Sequence, residues 1–166
     1  MVSRRLTPLS IFRIMRQFFD ADDWKYSLIE DQPAVQVGFQ GESGVWRCVA
    51  QAREEQKQYI FYSILDEAVP EDGLSRAAEF VARANYGLVI GNFELDHSDG
   101  EVRFKTSVDF TEAPGAITPE VIGHYTYVNV LMMDRYYGAL ESVIAGTDSP
   151  EEAVAKVLAR NAPSDS

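Results

Sequence analysis

Three features of the chain predict an α+β domain, a twisted and mainly antiparallel sheet packed by helices in the order α-β-β-β-β-α-β-β-α-α. Apolar side chains alternate with a period of two between residues 24 and 50, and a strand apolar on both faces follows at 58–65. Helical periodicity occupies residues 10–20, 74–87, 119–145 and a short segment after Ser149. Glycine- and proline-containing turns separate these segments, while no internal repeat, linker or low-complexity stretch interrupts the 166 residues. One domain over residues 1–166 is expected, with 1–9 and 161–166 as frayed ends.

Ser10 can cap a helix running to about Asp20. Its apolar face holds Ile11, Phe12, Ile14, Met15, Phe18 and Phe19, opposite Arg13, Arg16 and Gln17. That pattern fits a helix lying on a core. It also fits a membrane-surface anchor, although the acidic remainder of the chain would repel anionic lipid.

Strand signals follow. Trp24, Tyr26 and Leu28 form one face, then Val35, Val37 and Phe39, and the turn Gly41-Glu42-Ser43-Gly44 leads to Trp46, Cys48 and Ala50 with Arg47, Gln51 and Arg53 opposite. Residues 58–65 are apolar on both faces, which predicts a central strand covered from both sides. Pro70-Glu71-Asp72-Gly73 opens a second helix with Leu74, Ala77, Ala78, Val81 and Ala84 inward, Arg76, Glu79 and Arg83 solvated, and Gly87 as its left-handed stop.

Asp99-Gly100 reads as a two-residue type I′ hairpin turn. That register pairs His97 with Val102, Leu95 with Phe104 and Phe93 with Thr106 on the buried face, and places Asp96 opposite Arg103 and Glu94 opposite Lys105 outside. Thr118-Pro119 then caps and starts a helix to Ala145, stopped by Gly146 and apolar almost all round. Ser149-Pro150-Glu151-Glu152 is a capping box for a last helix through Ala159.

Charge narrows the function classes. A net charge of −11 works against nucleic acid, whose binding relies on Lys and Arg neutralising phosphates. Residues 1–19 nevertheless carry Arg4, Arg5, Arg13 and Arg16 with no acid, leaving −15 for the rest. An internal electrostatic clasp is the favoured reading of that asymmetry, and a docking site the other. Cys48 is the only cysteine, excluding an intrachain disulfide and reading as a small core residue. No stretch approaches the ~20 apolar residues of a membrane span, so a cytoplasmic protein is expected.

Chemistry is sparse. His97 and His124 lie in no nucleophile–base motif, and Gly87 and Gly91 match neither a dinucleotide fingerprint nor a phosphate loop. Asp96, Ser98, Asp99 and Glu101 surround a glycine, yet its position breaks the calcium-loop pattern and a hairpin turn explains it better. No enzyme, metal or cofactor is therefore expected. The Tyr- and Met-rich third helix is the functional candidate, with Tyr125, Met132, Met133, Tyr136 and Tyr137 as a protein interface. A helix apolar around its circumference predicts a homodimer or a protein partner. The alternative is a small-molecule-binding protein or cryptic enzyme with a pocket between the sheet and the 119–145 helix.

The element order, with the phrases FVARANYGLVIGNFELDHSDGEVRFKTSVD and MMDRYYGALESVIAGTDSPEEAV, resembles the YbjN-like family of bacterial proteins described as sensory-transduction regulators. The likeness runs from about Asp20 to Lys156. That family is similar in fold to type III secretion chaperones, small acidic α+β dimers that hold a partner segment. The resemblance implies a non-enzymatic, chaperone-like protein-binding or regulatory module, with no catalytic or cofactor residues to carry over. Two departures stand out: Gly138 where a proline-like break is expected after MDRYY, and the basic first helix.

Overall fold

A computed structural model describes residues 10–160. The frayed ends expected at 1–9 and 161–166 lie outside the described residues, as do Arg4 and Arg5. The elements are α1 (Ile11–Ala21), β1 (Tyr26–Leu28), β2 (Ala34–Gln40), β3 (Val45–Arg53), β4 (Gln58–Ile64), α2 (Leu74–Asn85), β5 (Asn92–Leu95), β6 (Val102–Asp109), α3 (Pro119–Ala145) and α4 (Pro150–Ala159). Their order is the one the periodicities predict. They build an α+β fold around one antiparallel six-stranded sheet, ordered β1-β2-β3-β4-β6-β5.

One face of the sheet carries the core. Val35, Val37, Trp46, Cys48, Ala50, Tyr59, Phe61, Phe93 and Phe104 share a continuous buried cluster with residues of all four helices. The apolar side of α1 (Ile11, Ile14, Met15, Phe18 and Phe19) is spent on that cluster, so it is a core helix rather than a free membrane anchor. Glu54, at the β3–β4 turn, accepts from the Ser10 hydroxyl and from the amides of Ile11 and Phe12, pinning the start of α1 to the sheet.

The other face is not covered as the sequence suggests. β4 is central, but Ile60 and Ile64 on its outer side lie outside the continuous core, although both are buried. On the same face the Arg103 guanidinium sits 4.4 Å over the Tyr62 ring, and Glu94 bridges Arg103 and Lys105. Long charged side chains thus lie on this face of the sheet. At the β1 edge, Leu28 has inward parity but is 58% exposed, because α1 ends at Ala21 and no other described element covers the strand's tip.

The hairpin corrects the expected register by two residues. Leu95 pairs with Val102, Phe93 with Phe104 and Glu94 with Arg103. Faces are preserved, because a shift of two leaves side-chain parity unchanged. The cause is the turn. Only Gly100 is left-handed (φ 79°), so Asp99-Gly100 is not a type I′ pair, and the loop spans His97 to Gly100 with His97 exposed on it. The Asp96 carboxylate accepts from the amide and hydroxyl of Ser98, and Asp99 accepts from the amide of Glu101, so these acids serve their own turn. Gly100 also lies against the Val69 backbone, where a β-carbon would collide. At the far edge, Asn85 accepts from the Phe93 amide and donates to its carbonyl, standing in for a seventh strand.

Candidate functional site

The candidate site is α3, and its geometry begins with its ends. The Thr118 side chain accepts from the Val121 amide, Pro119 occupies the first turn, and Gly146 closes the helix at φ 75°. Arg76, expected to be solvated, instead donates to the carbonyls of Val143 and Ile144 and caps this C-terminus from α2.

The inward side of α3 is polar where it crosses the sheet. The Thr126 hydroxyl donates to the Ile122 carbonyl (2.8 Å) and therefore accepts from the Tyr59 hydroxyl, 2.7 Å away. The Asn129 amide nitrogen donates to the carbonyls of Phe61 (2.9 Å) and Phe104 (3.0 Å), bolting α3 to β4 and β6. Its side-chain oxygen is buried without a partner among the described residues. Below this seam lie Met133 and Tyr136, both buried; the Tyr136 ring meets Phe93 and Phe80 edge-on, at centroid distances of 5.4 and 6.3 Å.

The five residues proposed as an interface therefore divide. Met133 and Tyr136 are core residues, because a helix laid on a sheet must bury the side facing it. Tyr125 and Met132 are half-buried on one flank of α3. Tyr137 is half-buried on another, its ring stacked on Trp46 at 5.4 Å. The outward stripe belongs to residues not singled out from sequence: Tyr127, 40% exposed, Leu131, 64% exposed, and Gly138, whose Cα faces open space. The signal was present. At about 100° per residue, Leu131 lies opposite Asn129, Met133 and Tyr136, so burying one set exposes the other.

Two contacts tie the flank of the stripe to neighbouring segments, the connection after α1 and the β2–β3 turn. The Tyr127 hydroxyl donates to the Asp22 carboxylate, which also accepts from the Trp24 indole. These donors, Tyr127 first, hold the Asp22 carboxyl below the usual carboxylate range. Asp134 accepts from the amides of Glu42 and Ser43, at 3.0 and 2.7 Å, fastening the β2–β3 turn against the helix.

Elsewhere the chemistry is quiet. His97 and His124 are both exposed, and neither imidazole makes a hydrogen bond among the described residues. Burial pushes the Cys48 thiol up to about 12, which fits the core role expected for it. Among the described residues no group of three or more His, Cys, Asp or Glu is placed to hold a metal, and no helix is long and apolar enough to cross a membrane.

A family described as "Putative bacterial sensory transduction regulator", YbjN, matches residues 13–142. The chain belongs to the YbjN family. The match runs from the first turn of α1 into the last turns of α3, so it takes in the whole sheet and the exposed stripe. No curated protein matches the sequence. Among solved structures, the crystal structure of YbjN from E. coli, described as "a putative transcription regulator", is similar at 14% identity and a TM-score of 0.57, over 74% of this chain and 85% of that one. This likeness establishes the shared fold. A chain of the HopA1–SchA chaperone–effector complex is similar at 11% identity and a TM-score of 0.45, over 75% of this chain and 91% of that one. That second likeness is too loose to support a functional statement.

Proposed function

We propose that this YbjN-family chain is a non-enzymatic protein-binding module with a regulatory role, acting in the cytoplasm as a homodimer through the outward face of α3. One observation carries the reading: Leu131 stands 64% exposed at the middle of a helix whose opposite side is wholly buried. Tyr127 extends the stripe, Tyr125 and Met132 border one flank, and Tyr137 the other. Leaving a leucine in water forgoes roughly 2 kcal/mol of burial. A second copy is the expected cover, since two-fold pairing is the commonest closed symmetry. The family's description as a regulator supports a binding role. The alternative pocket between sheet and α3 is disfavoured, because Thr126, Asn129, Met133 and Tyr136 fill that seam.

Light scattering at micromolar concentration tests this reading. The chain should run at twice its 18.6 kDa mass, and Leu131→Asp should run as a single chain with an unchanged circular dichroism spectrum. A parent chain of single mass throughout would refute the dimer.

A further inference from the structure

We infer that Arg135 and Asp22 pair across the α3 interface, the guanidinium of each copy with the carboxylate of the other, and so set α3 to cross its second copy in the antiparallel sense. The inference rests on the self-association proposed above and names the contacts that orient it.

Tyr127, Leu131 and Arg135 form one ridge on α3. Spaced four residues apart, they step ~6 Å along the helix and only ~40° around it. Leu131, the most exposed large apolar side chain of α3, stands near the midpoint of Pro119–Ala145. The two ends of the ridge differ in charge. One turn before Leu131, the Tyr127 hydroxyl holds the Asp22 carboxylate; one turn after it stands the Arg135 guanidinium.

Both charges are left open by the fold. The donors to Asp22, Tyr127 and Trp24, both meet Oδ2, and Oδ1 of this exposed carboxylate receives no donor among the described residues. The clasp expected of the basic first helix does not take it up. Arg16 donates to the Tyr26 hydroxyl, and Arg13 is exposed without an ion pair among the described residues. Arg135 is half-buried, its guanidinium carbon 5.7 Å from the centroid of the Tyr136 ring. Its Nε is buried without an acceptor, and no carboxylate pairs with it among the described residues. A partly desolvated cation gains most from an acceptor that arrives with the interface.

The spacing selects a second copy. A two-fold interface makes each contact twice, residue i meeting j and j meeting i. A cation one turn after Leu131 and an anion one turn before it satisfy that condition with the axis beside Leu131. The two leucines then meet, and each Arg135 lies beside Tyr127 and Asp22 of the other copy. Packing of such four-residue ridges side by side, at about −50°, is the commonest helix crossing in globular proteins. A parallel pairing would instead set each Arg135 level with its twin, ~12 Å along the axis from the Tyr127 that holds Asp22.

Charge reversal in the full chain tests the pairing, read by light scattering across the parent's dissociation range. Arg135→Asp and Asp22→Arg should each weaken self-association by about tenfold or more, because each sets like charges together twice per dimer. Mixed in equal amounts, the two variants should regain the parent's mass, since both contacts then join opposite charges. A chain carrying both changes should regain it alone. Circular dichroism checks folding, and a variant that had simply unfolded would not be rescued by mixing. Variants that pair as tightly as the parent, or weakened variants that stay single when mixed, would overturn the inference while leaving the α3 dimer in place. A parent chain of single mass throughout would overturn the dimer and the pairing together.

Discussion

The two sides of α3 are built from similar residues and do different things. Inward, Thr126, Asn129, Met133 and Tyr136 are buried, and the polar members reach sheet carbonyls and hydroxyls. Outward, Tyr127 and Leu131 remain in contact with solvent. Tyrosine and methionine enrichment therefore does not by itself mark an interface on this helix. Orientation about the helix axis separates core from contact surface, and the sheet sets that orientation.

The sharpest way to break this contrast is truncation on each side. Tyr136→Ala should cost about 3–5 kcal/mol, because it empties a site lined by Phe80 and Phe93. Leu131→Ala should change the stability of the single chain by no more than about 0.5 kcal/mol. Urea denaturation measures both. Equal losses would mean that Leu131 is packed in the folded chain and the stripe is not free.

A smaller effect sharpens the inward side. Asn129→Ala strips a donor from the Phe61 and Phe104 carbonyls and should cost about 1–3 kcal/mol. Part of that loss is offset, since the unpartnered side-chain oxygen also disappears. A neutral result in the same denaturation assay would show that the amide does not hold helix to sheet.

Two glycines of α3 give a paired test at about the same scale. A β-carbon on Gly123 would sit 2.7 Å from the Phe18 ring, whereas one on Gly138 meets nothing within 4 Å. Gly138→Ala should stabilise by about 0.5–1 kcal/mol through helix propensity alone. Gly123→Ala should lose about 1 kcal/mol net, overpacking against α1 exceeding the same propensity gain. Thermal unfolding that moved both variants in one direction would contradict the packing described.

The smallest effect is in pH. The folded Asp22 carboxyl is depressed chiefly by the Tyr127 hydroxyl, so its contribution is present above the ordinary carboxylate range and is lost as pH falls through the folded value. Tyr127→Phe should raise the Asp22 midpoint toward that ordinary range in a carboxyl-carbon NMR titration. An unchanged midpoint would show that the tether does not form in solution.

Legibility in the sequence followed the range of the interaction. Ser10, Thr118 and Ser149 were readable as caps because each acts on amides two or three residues away, and all three accept as expected. Strand faces were readable because parity is a property of one strand. The hairpin partners were not, since the turn at Gly100 is shaped by the Val69 backbone, about thirty residues away in the chain. Arg76 looked solvated from its helical position, yet the C-terminus of α3 stands beside it.

By itself, then, the sequence determined the element order, the helix ends and the face each strand buries, because periodicity and capping are local and act within a few residues. The tertiary structure decided that β4 is helix-covered on one side only, that the hairpin pairs two residues away from its simplest register, and that Met133 and Tyr136 are core while Tyr127 and Leu131 face out. Each of those outcomes depends on which surface meets which across the chain. A helix apolar around most of its circumference leaves that choice open until the sheet takes one side.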